Sequence, residues 1–335
     1  MILVTGGCGF IGSAFILQWL ASTQEPVVNL DLLTYAGHPG NLSAIEADAR
    51  YHFYLGDIGD ADLTDRLLAQ HRLRAILNFV AESQVDRSIS GPLAFAQTNV
   101  VGTLKLVDTA LAYWKRLEPA QASAFRSLHV STDEVCGSLG PDAAAFTEEH
   151  RYEPNSPNSA SNLFVRAYHH TYGLPITRCS ANRFSCTATV CRSATGCTWT
   201  TIAAPSAPCC SAAGRRRPTT RASRRWPAPP PGCCAPSGHR RDALRPMAGD
   251  QRHADLVRHV KDRPGHDRRY AIDDGKIASE LGRQPSVVLE EGIRQTVQWY
   301  LSHEEWVASV TSRAYRQWVE TQYNVRGGSV ARAEA

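Results

Sequence analysis

The chain has 335 residues, with 36 basic and 32 acidic side chains and a formal net charge of +4. This length suits one large or two modest domains. The sequence shows neither the pattern of a secretory leader nor a continuous apolar stretch of about 18 residues. These features argue against a secreted or membrane-spanning protein and predict a cytoplasmic location.

The charge is unevenly distributed along the chain. The 88 residues from Pro154 to Arg241 contain no Asp, Glu or Lys, but they contain 12 Arg, 8 of the 10 Cys and 11 of the 19 Pro. That segment carries +12, whereas the other 247 residues carry 24 basic and 32 acidic groups and sum to −8. The sequence is therefore an acidic chain that contains a basic segment of different composition.

The first 150 residues alternate between strand-like and helix-like patterns. Such alternation favours an α/β fold with a doubly wound parallel sheet, in which ligands bind beyond the carboxyl ends of the strands. Those ends are glycines or polar residues in several strands. The predicted strands are Ile2–Val4, Val27–Asp31, Tyr51–Leu55, Ala75–Val80 and Ser127–Val130, and the predicted helices are Phe10–Leu20, Asp60–His71 and Leu93–Tyr113.

A glycine-rich loop follows the first predicted strand. Gly6, Gly9 and Gly12 have the spacing G-x-x-G-x-x-G, and a predicted helix begins within the motif. Such a loop lets backbone N–H groups approach a pyrophosphate at the positive end of the helix. Asp31 ends the next strand, where a carboxylate accepts hydrogen bonds from ribose hydroxyls and repels a 2′-phosphate. The pattern predicts NAD rather than NADP; the alternative is a tight turn without a ligand.

Several strings of the sequence together resemble one enzyme family. They are TGGCGFIGS, LDLLTYAG, VAESQVDRSI, TNVVGT, STDEVCG and, much later, DRPGHDRRYAID. Over about residues 1–180 and 255–323 the chain resembles the dTDP-glucose 4,6-dehydratases, extended short-chain dehydrogenases/reductases that act on a nucleotide sugar. The resemblance implies an NAD-binding Rossmann domain, a smaller C-terminal substrate region and a hydro-lyase reaction. The alternative within nucleotide-sugar metabolism is another dehydratase or an epimerase.

The resemblance also implies the catalytic residues. Thr132 would orient the C4 hydroxyl of the sugar, Asp133 would be the acid for the C6 hydroxyl, and Glu134 would be the base at C5. This division of labour needs one carboxyl protonated while its neighbour is ionised. The structural alternative is that these three residues only cap a helix.

Ligand contacts are implied in the same way. The arginine fork suits the nucleotide diphosphate, although the basic residues near Arg263 could instead form a solvated charge cluster. The family also implies a homodimer, and no metal, membrane or nucleic-acid partner is expected. The cofactor-binding residues would be Gly6, Gly9, Phe10, Ile11, Gly12, Asp31, Thr34, Asp57, Ile58, Ala81, Ser83 and Thr98, and the substrate-binding residues Ser83, Thr132, Arg263 and His266.

The Tyr-x-x-x-Lys pair of the family is absent. Asn158 stands at the Tyr position and Asn162 at the Lys position, and the family pattern then resumes about four residues early. In the family the Tyr is the base for hydride transfer, and the Lys lowers its pKa. Since an amide cannot take a proton at neutral pH, we predict dehydratase activity at or near background, which would make the chain a catalytically defective NAD-binding remnant.

The resemblance stops within the basic segment. Residues 183–254 are rich in Arg, Pro and Cys and poor in aliphatic residues, which cannot supply a packed half-domain. We interpret this segment as translated out of frame. Zinc binding is the first alternative, but there is no C-x-x-C pair. An arginine-rich nucleic-acid site is the second, but only Trp226 interleaves the Arg clusters.

These observations divide the chain into three parts. Residues 1–182 form the predicted NAD-binding domain, residues 183–254 the anomalous segment, and residues 255–335 the C-terminal part of the substrate domain. Helical patterning is recovered within Asp273 to Glu320, where three tryptophans add bulk. The predicted apolar face there includes Val287, Leu289, Ile293, Val297, Tyr300 and Leu301, and the tryptophans are Trp299, Trp306 and Trp318.

Overall fold

Six parallel strands form one sheet in the computed structural model. The residues that the structure describes are 1–82, 91–140, 142–147, 149–153, 161–180, 269, 271–273, 275–281, 287 and 289–311. The strand order is β3-β2-β1-β4-β5-β6. The strands are β1 Ile2–Thr5, β2 Val27–Asp31, β3 Tyr51–Leu55, β4 Ala75–Asn78, β5 Arg126–Ser131 and β6 Ile176–Ser180.

Helices cover both faces of this sheet. The predicted alternation of strands and helices is confirmed, and Asp60 caps the second helix by accepting a hydrogen bond from the N–H of Leu63. The α-helices are α1 Phe10–Ser22, α2 Ala61–Gln70, α3 Pro92–Phe95, α4 Thr103–Arg116, α5 Pro119–Ala124, α6 Ser161–Tyr172, α7 Gly275–Leu281, α8 Leu289–Ser302 and α9 Glu304–Val310. Pro39–Ile45 and Asp133–Cys136 are 3-10 helices, and Ala96–Gly102 is a π-helix.

The strands carry apolar side chains to both faces because successive residues point to opposite sides. Leu3 packs into a cluster with residues of α2, α4 and α6, and its neighbours Ile2 and Val4 pack on the other face with Phe15 of α1. β1, β2 and β4 are buried along their whole length, as expected for a parallel sheet covered on both sides. The two clusters hold the strand ends at fixed positions.

Some element boundaries differ from the predictions. The fourth strand ends at Asn78 instead of Val80, because the Asn78 side chain accepts the N–H of Val80 at 3.0 Å and turns the chain. The predicted helix Leu93–Tyr113 is helical throughout but contains the π-helix. Leu301, predicted on an apolar face, is 53% exposed.

The direction of strand order reverses between β1 and β4. From β1 the chain proceeds outward to β2 and β3 on one side, and from β4 to β5 and β6 on the other. In open α/β sheets the crevice at this reversal is the usual ligand site. Among the described residues, none of the helices is long and apolar enough to cross a membrane.

Candidate active site

The glycine-rich loop lies at the carboxyl end of β1, beside the reversal of strand order. Gly6 has φ of +72°, which glycine adopts without a steric penalty, and a Cβ there would lie 2.9 Å from the backbone N of Val80. A Cβ on Gly12 would lie 2.2 Å from the carbonyl oxygen of Gly6. The glycines therefore let the loop, the start of α1 and the end of β4 approach closely.

The start of α1 is suited to an anion. Gly9 is its N-cap, and its first turn, which begins with Phe10 and Ile11, contains no acidic residue and no capping side chain. Burial, and then the charge of Asp31, raise the pKa of the neighbouring Cys8 thiol to about 11, so this side chain stays uncharged at neutral pH. The positive end of the helix thus meets a loop that adds no negative side chain. These features fit a dinucleotide diphosphate.

Asp31 lies at the end of β2 and is buried. Its Oδ2 accepts the N–H of Cys8 and its Oδ1 accepts the N–H of Leu33, both at 2.8 Å. The second bond holds Leu33 at φ +53°, an unusual conformation for leucine. Each carboxylate oxygen can accept a further hydrogen bond, so the group still fits a ribose hydroxyl. Thr34 follows, exposed to solvent.

Asp57 and Ile58 follow β3 on the same edge of the sheet. The exposed Asp57 accepts the N–H of Gly59 at 2.7 Å, while Ile58 is buried. Ile58 lies against Gly102, where an added Cβ would come within 3.2 Å of its Cγ1. The structure therefore places this predicted pair at the outer end of the crevice, beyond β2.

The loop after β4 contains the exposed Ala81 and is held by a neighbouring helix. Asn99 accepts the backbone N–H of Glu82 at 2.8 Å and donates to its carbonyl at 2.9 Å. The Glu82 carboxylate accepts the hydroxyl of Tyr35 at 2.6 Å, which joins this loop to the loop after β2. The π-helix that carries Asn99 also carries the half-buried Thr98.

Thr132 and Glu134 lie at the carboxyl end of β5, next to β4. Thr132 is the N-cap of the 3-10 helix Asp133–Cys136, and its hydroxyl accepts the N–H of Glu134 at 3.3 Å. Thr132 therefore caps this helix, and this position at the carboxyl end of β5 is compatible with the catalytic role as well. Thr132 and Glu134 are both half-buried.

Asn162 lies in the first turn of α6 and is buried. On the same helix, the surroundings of Tyr168 do not favour the role of the missing base. Its hydroxyl donates to Asp108 at 3.1 Å, and burial together with that carboxylate raises the pKa of Tyr168 to about 12. A tyrosine that acts as a base needs a lowered pKa, so this environment works in the opposite direction.

Four of the predicted positions cannot be placed. Ser83, Asn158, Arg263 and His266 lie outside the described residues, as does the segment 183–254. The end of the later family string is described, and it borders the loop that follows β5. The N–H of Phe146 donates to Ala271 at 2.8 Å, and the N–H of Asp273 donates to Phe146 at 2.8 Å.

Three buried asparagines were missed as parts of the site. Asn29 accepts the N–H of Gly7 at 3.1 Å, Asn78 accepts the hydroxyl of Thr5 at 2.7 Å, and Asn99 holds the loop after β4 as described above. Each of them fixes a loop at the crevice. Their signal in the sequence is an amide within an otherwise apolar run, as in VVNLD and AILNF.

Comparison with known proteins agrees with this geometry. The family model described as GDP-mannose 4,6 dehydratase matches residues 3–198. The dTDP-glucose 4,6-dehydratase of Xanthomonas campestris pv. campestris (strain B100) is 43% identical, with 94% of this chain and 97% of that protein covered. The chain belongs to the dTDP-glucose 4,6-dehydratase family.

The solved structures of this family agree in fold. The dTDP-glucose 4,6-dehydratase of Streptomyces venezuelae, crystallised with NAD and TYD bound, has a TM-score of 0.69 and 34% identity, covering 91% of this chain and 98% of that chain. The UDP-glucose 4-epimerase of Thermotoga maritima has a TM-score of 0.63 and 19% identity, covering 90% of this chain and 98% of that chain, and shares the fold alone. The comparisons therefore favour the dehydratase over the epimerase.

Proposed function

We propose that this chain is built for the conversion of dTDP-glucose to dTDP-4-keto-6-deoxyglucose and water. The observation that carries the proposal is the position of Thr132 and Glu134. They lie at the carboxyl end of β5, two strands from the glycine-rich loop, in a chain 43% identical to a dTDP-glucose 4,6-dehydratase.

The cofactor of the proposal is NAD. The glycine-rich loop and the start of α1 would hold the diphosphate, and Asp31 would accept the adenosine ribose hydroxyls. When bound, NAD supplies the hydride acceptor and donor that no side chain can provide. The absence of Lys and Arg from residues 31–36 supports NAD over NADP.

The proposed roles of the side chains follow the order of the reaction. Thr132 orients the C4 hydroxyl while the sugar is oxidised there. The resulting ketone acidifies the C5 proton, which Glu134 removes, and Asp133 protonates the C6 hydroxyl so that it leaves as water. Bound NAD would supply the hydride that returns to C6 while Glu134 would return the proton to C5, so the sequence of steps would bring no net oxidation or reduction.

The amide side chains of Asn158 and Asn162 do not supply the base that oxidation at C4, the first step, requires. Neither can take the C4 hydroxyl proton or lower the pKa of a neighbouring base, and general acid–base groups are worth about 10²–10⁴-fold each. We therefore predict that the chain binds NAD and turns over dTDP-glucose at or near background.

A series of three proteins tests the function and the defect together. They are the unchanged chain, the chain with residues 183–254 replaced by the alternative reading frame, and that protein with Asn158→Tyr and Asn162→Lys. NAD binding and turnover are measured on the same preparations. We expect NAD binding in all three and turnover in the third, at least about 10²-fold above the second.

Two results would contradict these statements separately. Ordinary turnover of about 1–10³ s⁻¹ by the unchanged chain would show that the predicted defect is wrong. Failure of the third protein to act on dTDP-glucose, with NAD bound, would contradict the proposed substrate. Replacing dTDP-glucose by UDP-glucose or GDP-mannose in the same assay tests the nucleotide.

The division of the chain at residues 183–254 is likewise a proposal. Its support is the composition of that segment. From Arg183 to Arg241, Val190 and Ile202 are the only residues of the types Ile, Leu, Val and Met. The DNA decides it: an alternative frame that lacks the N-Y-G-P string of the family and aliphatic-rich helices would contradict a frame error.

We also infer that the chain forms a homodimer through α4 and α6. These helices pack side by side, and α6 exposes Leu163, Phe164 and Tyr172, with Tyr172 lying under the ammonium of Lys115 at 5.6 Å. A cytoplasmic location is proposed because the buried thiol of Cys8 is not in a disulfide, which suits a reducing compartment.

A further inference from the structure

The C-terminal helix α9 returns to the first half of the chain. The indole N–H of Trp306 donates to Oδ1 of Asn41 at 2.9 Å, across 265 residues of sequence. Three residues further along α9, the hydroxyl of Ser309 lies 3.0 Å from Nε2 of His38. The rings of Trp306 and His38 are 6.1 Å apart. One face of α9 is therefore docked on the segment that follows β2.

That segment holds the glycine-rich loop in turn. The carbonyl oxygen of Cys8 accepts two hydrogen bonds, from the backbone N–H of His38 at 2.9 Å and from Nδ2 of Asn41 at 3.0 Å. The N–H of Cys8 donates to Asp31. Both backbone polar groups of Cys8 are thus held. Its N–H is held by Asp31, the carboxylate proposed to bind the ribose, and its carbonyl oxygen by His38 and Asn41, which contact α9.

The side chain of Asn41 joins the two contacts, and its orientation is determined by chemistry. An indole nitrogen only donates, so it requires the amide oxygen, and a carbonyl oxygen only accepts, so it requires the amide nitrogen. The reversed amide would place donor against donor and acceptor against acceptor. Trp306, Asn41 and Cys8 therefore form a directed chain of hydrogen bonds.

Trp306 is itself held by α8. Its ring contacts that of Trp299 edge-on, with centroids 5.1 Å apart, and Trp299 stacks on His303 at 4.3 Å. This aromatic group joins α8 to α9 and limits the positions that the indole N–H can take. The hydrogen bond from Trp306 to Asn41 therefore depends on the positions of both α8 and α9.

We propose that Trp306 is a positioning residue for the cofactor loop, acting through Asn41 on the carbonyl of Cys8. The inference rests on the proposed binding of NAD at that loop. Docking of α8 and α9 then raises the affinity for NAD, although Trp306 does not touch it. The C-terminal helices, which would otherwise serve the substrate region, thereby contribute to cofactor retention.

The test compares two substitutions that each remove an indole N–H and keep an aromatic ring. Trp306→Phe breaks the bond to Asn41, and Trp114→Phe breaks a bond of 3.0 Å to the carbonyl of Ala122, away from the glycine-rich loop. The dissociation constant of NAD is measured by calorimetry on the full chain. We expect Trp306→Phe to bind NAD about two- to tenfold more weakly, the effect of one hydrogen bond, and Trp114→Phe to bind as the unchanged chain does.

A second comparison separates positioning from general stability. Asn41→Ala removes the link to Cys8, so Trp306→Phe in that background should weaken NAD binding no further. An equal loss with and without Asn41, or no loss in Trp306→Phe, would overturn the inference while leaving NAD binding intact. If the unchanged chain does not bind NAD, the proposed function fails and this inference fails with it.

Discussion

Single residues at the crevice determine how closely its backbone segments approach one another, either because they lack a side chain or because their side chain fills a buried polar position. Gly12 leaves room for the carbonyl of Gly6, whereas Asn29 and Asn78 fill polar positions between apolar neighbours. All three set how closely backbone segments approach one another. The loop that is proposed to hold a diphosphate therefore depends on both kinds of residue.

Substitution of Gly12 tests the first kind. In Gly12→Ala the new Cβ meets backbone atoms at 2.2 and 2.8 Å, so α1 must shift away from the loop. We expect the free energy of unfolding to fall by about 1–3 kcal/mol, as for other overpacked sites, together with weaker NAD binding. Urea denaturation gives the first quantity.

Gly140→Ala is the matched control, because a Cβ at Gly140 would meet nothing within 4 Å. Its urea midpoint should stay close to that of the unchanged chain. Equal midpoints for the two variants would show that the Gly12 contact does not matter.

At the scale of elements, Glu25 joins the starts of three strands. It lies just before β2, and its carboxylate accepts hydrogen bonds from the amino group of Met1 and, through both oxygens, from Arg74, which precedes β4. Burial by itself raises the pKa of Glu25, but the bonds from Arg74 and the amino group outweigh burial and hold it below its ordinary value. The charged form therefore stabilises the amino ends of these three neighbouring strands.

This lowered pKa predicts how stability depends on pH. The contribution of Glu25 is fully present above its ordinary pKa of 4.5 and is lost as the pH falls through the lower value of the folded chain. The difference in unfolding free energy between the unchanged chain and Glu25→Gln should be present at pH 7 and shrink in acid. Urea titrations over that pH range measure it.

The exposed Glu118, whose side chain does not cap α5, supplies the control. Glu118→Gln should change the unfolding free energy at pH 7 by no more than ~0.5 kcal/mol. A difference for Glu25→Gln that persisted unchanged into acid would contradict the assigned role of its charge.

At the scale of the molecule, helix α6 carries large exposed apolar side chains in the described part of the chain. Leu163, Phe164 and Tyr172 are 42%, 39% and 48% exposed on α6, beside α4. Since exposed apolar surface of this kind marks interaction sites, a second copy of the chain is the proposed occupant.

Light scattering after size exclusion tests the dimer. The unchanged chain should have about twice the mass of one 36.7 kDa chain. Phe164→Glu should shift it to the monomer, because a charge in an apolar interface is costly to bury. Leu55→Glu, at a 63% exposed position on β3, should leave the dimer intact. A monomeric unchanged chain, or equal behaviour of both variants, would contradict the proposed interface.

Local patterns carried much of the fold prediction. Val27–Asp31 and Tyr51–Leu55 were predicted with the bounds that the structure has, because an apolar run bounded by turn residues is a local signal. The spacing of Gly6, Gly9 and Gly12, and the acid that ends β2, likewise predicted a loop between β1 and α1 and a carboxylate at the end of β2, where the structure has them. The absence of the Tyr-x-x-x-Lys pair was also evident from the sequence.

Contacts between distant residues were decided only by the tertiary structure. A buried amide can be recognised in the sequence, but the partners in the hold of Asn99 on the loop after β4 and in the link from Trp306 through Asn41 to Cys8 leave no local pattern. They join residues that are tens to hundreds of positions apart, or depend on where a buried amide points once the sheet has formed. The sequence by itself thus determined the α/β class, the place of the glycine-rich loop and the absence of the Tyr-x-x-x-Lys pair, because these are properties of neighbouring residues. Tertiary structure decided which side chains hold that loop, because hydrogen bonds across the sheet exist only after it is packed.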